Sequence, residues 1–129
     1  MFTLLEGFPT KKLQSTLVND FDIEKVFKYQ NTYVLFLTEN TPHEETLTIL
    51  LLSETYKILE KIELYAAYTP GILNVVGVES NAIVFTFWSE KSMRLCYSES
   101  KKYPWQFKRL YGVSYISGLL KLRYLVVRS

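Results

Sequence analysis

The sequence predicts a mainly β or α+β fold: a curved antiparallel sheet with one or two helices packed on it, or alternatively a small closed β-barrel. Three observations predict it. Short apolar runs recur between polar turn signals. Ten Tyr and eight Phe raise the aromatic share to 16%, and aromatic and β-branched side chains suit a pleated, half-buried surface. Several runs are apolar on both alternating faces, which calls for cover on both sides of a sheet.

The elements follow in chain order. Phe2, Leu4 and Leu5 open an edge strand that Pro9 interrupts, and residues 11–18 read as a short helix or an irregular strand. Residues 23–30 and 32–38 are strands flanking a turn at Asn31, a residue that tolerates left-handed backbone geometry. A polar loop over 39–45 leads to an apolar strand over 46–52. A rival reading takes Thr41, Pro42 and Glu44 as a capping box and starts a helix there.

Residues 53–68 favour an amphipathic helix. At 100° per residue, Ile58, Leu59, Ile62, Tyr65 and Ala66 share one side, Lys57, Glu60, Lys61 and Glu63 lie away from it, and Ser53 can cap it. Leu64 falls on the polar side. The competing reading, a turn at Ser53-Glu54-Thr55 and a strand over 56–65, places Glu60 on one face with Ile58 and Ile62. Residues 72–78 and 82–88 bracket Glu79-Ser80-Asn81 as the clearest hairpin, both strands apolar on both faces and so expected at the centre of a sheet. Strands over 92–98, 105–111 and 119–128 complete the series.

With 129 residues and no repeat or low-complexity linker, residues 1–129 read as a single compact domain large enough to close a core without cross-links. The one cysteine, Cys96, has no internal partner and suits a reducing compartment. The N-terminus lacks an early basic residue and carries Glu6 in its first apolar stretch, unlike an export signal. The uncharged run 64–78 is broken by Pro70-Gly71 and falls short of the roughly 20 apolar residues a membrane helix needs. The expectation is a cytoplasmic protein with no membrane partner.

Residue supply argues against the commonest enzyme designs. The only histidine, His43, lies in a polar loop, and neither a second imidazole nor a companion thiol exists to complete a zinc site. Cys96 has no base nearby in sequence to activate it. The five glycines are dispersed, so no phosphate-cradling loop forms, and no nucleophile elbow or calcium loop is present. No cofactor and no metal are expected.

Charge is divided along the chain. Residues 1–90 hold six Lys against twelve carboxylates; residues 91–129 hold nine basic residues against one carboxylate, Glu99. Lys101, Lys102, Lys108, Arg109, Lys121, Arg123 and Arg128 alternate with Tyr97, Tyr103, Trp105, Phe107, Tyr111 and Tyr124. On a strand over 105–111, Trp105, Arg109 and Tyr111 share a face opposite Lys108. On one over 119–128, Lys121 and Arg123 share a face with Leu125 and Val127, leaving Leu120, Leu122, Tyr124 and Val126 as the expected core face.

These residues favour a small non-catalytic protein-binding module, of inhibitor or immunity type, that covers a partner enzyme. Its expected contacts are Trp105, Lys108, Arg109, Tyr111, Lys121 and Arg123 against an acidic protein surface. The alternative is a nucleic-acid-binding protein using residues 91–129, with phosphate contacts and base stacking. A metal-independent nuclease or a small-ligand-binding barrel stands behind both. The sequence does not set the oligomeric state.

Overall fold

A computed structural model describes residues 1–6, 22–40, 45–66, 69, 71–88, 91–102, 110, 112–116 and 123–129. They form ten strands in two antiparallel sheets, with no helix among the described residues. The first five run in sequence as a meander: β1 (Thr3–Leu4), β2 (Asp22–Tyr29), β3 (Thr32–Asn40), β4 (Glu45–Leu52) and β5 (Ile58–Leu64). The chain then builds a second meander from β6 (Asn74–Glu79), β7 (Ala82–Thr86) and β8 (Ser92–Lys102). It returns to the first sheet as β9 (Val113–Tyr115), beside β5, and ends in the second as β10 (Arg123–Arg128), beside β8. The orders are β1-β2-β3-β4-β5-β9 and β10-β8-β7-β6, and neither sheet closes into a barrel.

Period-two alternation explains how the sheets meet. Phe27 and Tyr29 of β2, Val34 and Phe36 of β3, Ile49 and Leu51 of β4, and Ile62 and Leu64 of β5 point to one side. Ile83 and Phe85 of β7, Met93 and Leu95 of β8, and Leu125 and Val127 of β10 point back at them in the same buried cluster. Ring pairs bridge the sheets: Phe36 meets Phe85 edge-on with centroids 5.6 Å apart, and Tyr29 stacks on Tyr97 at 4.1 Å. Each such pair contributes about 0.5–1.5 kcal/mol beyond its burial. The opposite faces of β2, β3 and β4 are buried as well, through Val26, Leu35, Leu37, Leu50 and Leu52.

The predicted strands over 23–30, 32–38, 46–52, 72–78, 82–88 and 92–98 are present within a few residues at their ends. The capping-box helix is excluded over Glu45–Leu52, which is β4; Thr41, Pro42, His43 and Glu44 lie outside the described residues. So do residues 11–18 and 103–109.

Residues 53–66 are not a helix, and 67–68 lie outside the described residues. Ser53 accepts from the Tyr56 amide and its own amide donates to the Lys57 carbonyl, closing a tight turn with Tyr56 at φ 65°. Beyond it lies strand β5. Leu59 is an extra residue against β4, since Leu51 pairs with Glu60 but Leu52 with Ile58. This bulge exposes Ile58 and Leu59 and turns Glu60, Ile62 and Leu64 inward.

Two turn and edge expectations also change. In the β2–β3 hairpin, Gln30 rather than Asn31 takes the left-handed conformation, at φ 51°. The Thr32 hydroxyl donates to the Tyr29 carbonyl at 2.7 Å across that turn. In the second sheet β7 is interior as predicted, but β6 is an edge strand, with Val76 62% and nearby Ile72 80% exposed.

Candidate functional site

Of the residues that the sequence marks for partner binding, Trp105, Lys108, Arg109, Tyr111 and Lys121 lie outside the described residues. Arg123 opens β10 and pairs in register with Lys102; their side chains are not described. The predicted core face of the last strand holds only in part: Tyr124 packs half-buried against the inter-sheet core, and Leu120 and Leu122 lie outside the described residues. Leu125 and Val127 line the inter-sheet core, while Val126 is buried on the other side of the sheet. A register irregularity sits beside this strand: β8 carries residues 98–101 across the gap where β10 has only Tyr124.

The same ladder assembles a basic pair that the linear charge count did not single out. Arg128 lies directly opposite Arg94, so both side chains leave the same face, and both are exposed. Arg94 also reaches Glu79 of β6 at 3.3 Å, with side chains about half exposed on both partners. Like charges placed directly opposite are unfavourable by roughly 0.2–1 kcal/mol. The register therefore puts Arg94 against Arg128 at one end of the ladder and Lys102 against Arg123 at the other.

Cys96 sits one step along β8 from Arg94, paired with Val126. Burial pushes its thiol above the ordinary value, opposed by the nearby Arg128 and Arg94 and reinforced by Glu79. It is therefore a protonated thiol at neutral pH, the weakly nucleophilic form. Among the described residues no group of three or more His, Cys, Asp or Glu is placed to hold a metal.

Glu60 organises the junction of the two sheets. It is 4% exposed and points from β5 toward the start of β10. Its Oε2 accepts from the Tyr124 amide at 2.9 Å and its Oε1 from the Leu125 amide at 3.0 Å. Two residues further on, the Val127 amide donates to the Tyr115 hydroxyl of β9 at 3.0 Å. Side chains of the first sheet thus take three main-chain donors from the edge strand of the second. A charge-assisted bond of this kind contributes about 1.5–3 kcal/mol.

Next to this clasp runs a row of rings. Tyr124 stacks on Tyr97 at 5.2 Å with planes 8° apart, Tyr97 stacks on Tyr29, and Tyr29 meets Phe2 at 4.8 Å. The Tyr29 hydroxyl donates to Asn81 Oδ1 at 3.1 Å, and the Tyr97 amide donates to the Asn81 carbonyl. Burial, with Tyr124, Glu60 and Tyr29 beside it, pushes the Tyr97 phenol up to about 12. Tyr97 and Tyr124 thus spend ring faces on each other and on the core.

On the far side of the second sheet, β6 and the β1–β2 edge of the first border a groove of about 340 Å³. Leu4 and Phe27 form one wall, Leu73, Val75 and Val78 the other, with Lys25 and Asn74 as its polar residues.

Neither Glu60 nor β6 was marked by sequence reasoning. The signal for Glu60 was present: it is the one carboxylate on an otherwise apolar alternation, and an isolated buried charge must be satisfied by fixed donors. Comparison with protein-family models, with characterised proteins and with solved structures finds no match.

Proposed function

We propose that this chain is a non-catalytic protein-binding module that presents the basic β8–β10 part of its second sheet to an acidic surface on a partner. The observation that carries this reading is the ladder register. Arg128 opposite Arg94 and Arg123 opposite Lys102 concentrate four cationic positions on two neighbouring strands. Arg94 is offset by an ion pair with Glu79, and Arg128 has no ion pair among the described residues. Carboxylates supplied by a partner relieve that repulsion, and charge complementarity adds association rate and specificity. An inhibitor or immunity-type protein, which neutralises an enzyme by covering it, is the class this fits. The stacked tyrosines favour protein over single-stranded nucleic acid, because Tyr97 and Tyr124 do not offer free stacking platforms.

The test pairs affinity capture from the native cell with binding to single-stranded RNA, single-stranded DNA and duplex DNA across a salt series. The expected result is a captured acidic protein whose affinity falls in an Arg94→Ala/Arg128→Ala double variant. Steeply salt-dependent nucleic-acid binding that this variant loses, with no acidic protein captured, contradicts the proposal.

A further inference from the structure

We infer that β6 is a strand-addition site that takes up an extended segment of a partner protein, apolar at alternate positions and ending in a carboxylate. The inference is independent of the basic β8–β10 surface and concerns the opposite edge of the same sheet. At β10 the molecule spends Glu60 and Tyr115 on the amides of Tyr124, Leu125 and Val127. At β6 the described residues supply nothing comparable: β7 pairs with one side and no strand or side chain bonds to the other. Unpaired edges invite another chain, and proteins blunt them with lysine, proline, short strands or bulges. β6 has neither lysine nor proline. Among the described residues its protective features are the bulge at Val76, where Val75 pairs with Phe85 and Gly77 with Val84, and the charge of Glu79 at its end.

The surroundings define the occupant. Val76 and Val78 are exposed on the strand, Ile72 is exposed two residues before it, and Leu4 is exposed at the groove. The groove of about 340 Å³ lies at the lower end of ligand-pocket sizes, roughly 300–1,000 Å³. An open backbone edge beside it selects another main chain over a compact small molecule. Alternate side chains of an added strand enter the groove while its amides and carbonyls pair with β6. Lys25 lines the same groove, and among the described residues it has no carboxylate within ion-pair distance. The partner segment therefore carries an acidic group there.

The probe is a fluorescein-labelled decapeptide of alternating valine and threonine with aspartates at one end, followed by anisotropy against the full chain. Controls end in lysine, or carry N-methyl groups on one or the other alternating set of amides. The expected result is binding of the aspartate peptide, lost on methylation of one set and kept on methylation of the other. Lys25→Glu should weaken it about ten-fold and turn preference toward the lysine peptide. Val78→Lys, at a partly exposed position, should abolish binding with the circular dichroism unchanged. Absence of binding, equal tolerance of both methylation patterns, or indifference to Lys25→Glu overturns the inference. So does a concentration-dependent dimer that Val78→Lys disperses, since a second copy would then hold the edge.

Discussion

At β10 the outer edge of the four-stranded sheet is closed by side chains. Glu60 takes the amides of Tyr124 and Leu125, the Tyr115 hydroxyl takes that of Val127, and Leu125 and Val127 are fully buried. At β6, three strands away, the edge carries Val76 and Val78 exposed and borders an open groove. Both are end strands of one sheet, so position in the sheet does not decide whether an edge is accessible. What decides it is whether the facing sheet sends a polar side chain to meet it. β5 and β9 do so with one carboxylate and one phenol, whereas the β1–β2 edge faces β6 with Leu4, Phe27 and Lys25.

This contrast sets unequal costs for substitutions on the two sides. Glu60→Leu leaves one buried and one part-buried amide without their acceptor and should lower stability by about 2–4 kcal/mol, measured by urea unfolding. Glu60→Gln keeps one carbonyl acceptor and should cost about 1–3 kcal/mol. Tyr115→Phe removes the single acceptor of Val127 and should cost about 1–2 kcal/mol. Val78→Lys, on the open edge, should stay within about 0.5 kcal/mol of the parent. Equal losses on the two edges would erase the distinction.

A pH measurement sharpens it further. Tyr97 sits against Tyr124, beside the clasp, with its phenol raised from 10.0 to about 12. The folded state therefore holds the proton more tightly than the unfolded chain does. The stabilisation from this difference is complete below pH 10 and disappears as pH rises through about 12. Ultraviolet titration should show a late tyrosinate step that Tyr97→Phe removes.

The strands were visible in the sequence where short apolar runs lie between polar turn signals. Val34, Phe36, Leu47, Ile49 and Leu51 line the inter-sheet core while Leu35, Leu37, Leu50 and Leu52 are buried on the opposite face. Residues 32–38 and 46–52 therefore read as apolar runs, and β3 and β4 lie there. Residues 58–66 misled because two devices coincide there. The bulge at Leu59 breaks the alternation, and Glu60 occupies a core position. A carboxylate between Ile58 and Ile62 looked like evidence against a strand, yet its partners are the Tyr124 and Leu125 amides, 64 and 65 residues away. Helical periodicity also left Leu64 on the polar side, and Leu64 is fully buried. In β10, Lys121 and Arg123 share their parity with Leu125 and Val127, so charge weighs against a face that carries two core residues.

The basic ladder pairs were only partly visible. A charge count located them in residues 91–129, but the pairing of Arg94 with Arg128 depends on ladder register, which composition does not contain. The open edge at β6 was hidden by its own hydrophobicity. A strand apolar on both faces is normally interior, and here it is an edge.

Native-state amide hydrogen exchange tests the difference between the edges most directly. Tyr124, Leu125 and Val127 should exchange slowly, with Leu125 and Val127 near the rate set by global unfolding. Alternate amides of β6, those turned away from β7, should exchange orders of magnitude faster in the same sample. If Leu125 and Val127 exchange as fast as those β6 amides, or if every amide of β6 is protected in the isolated protein, the contrast between a closed and an open edge is wrong.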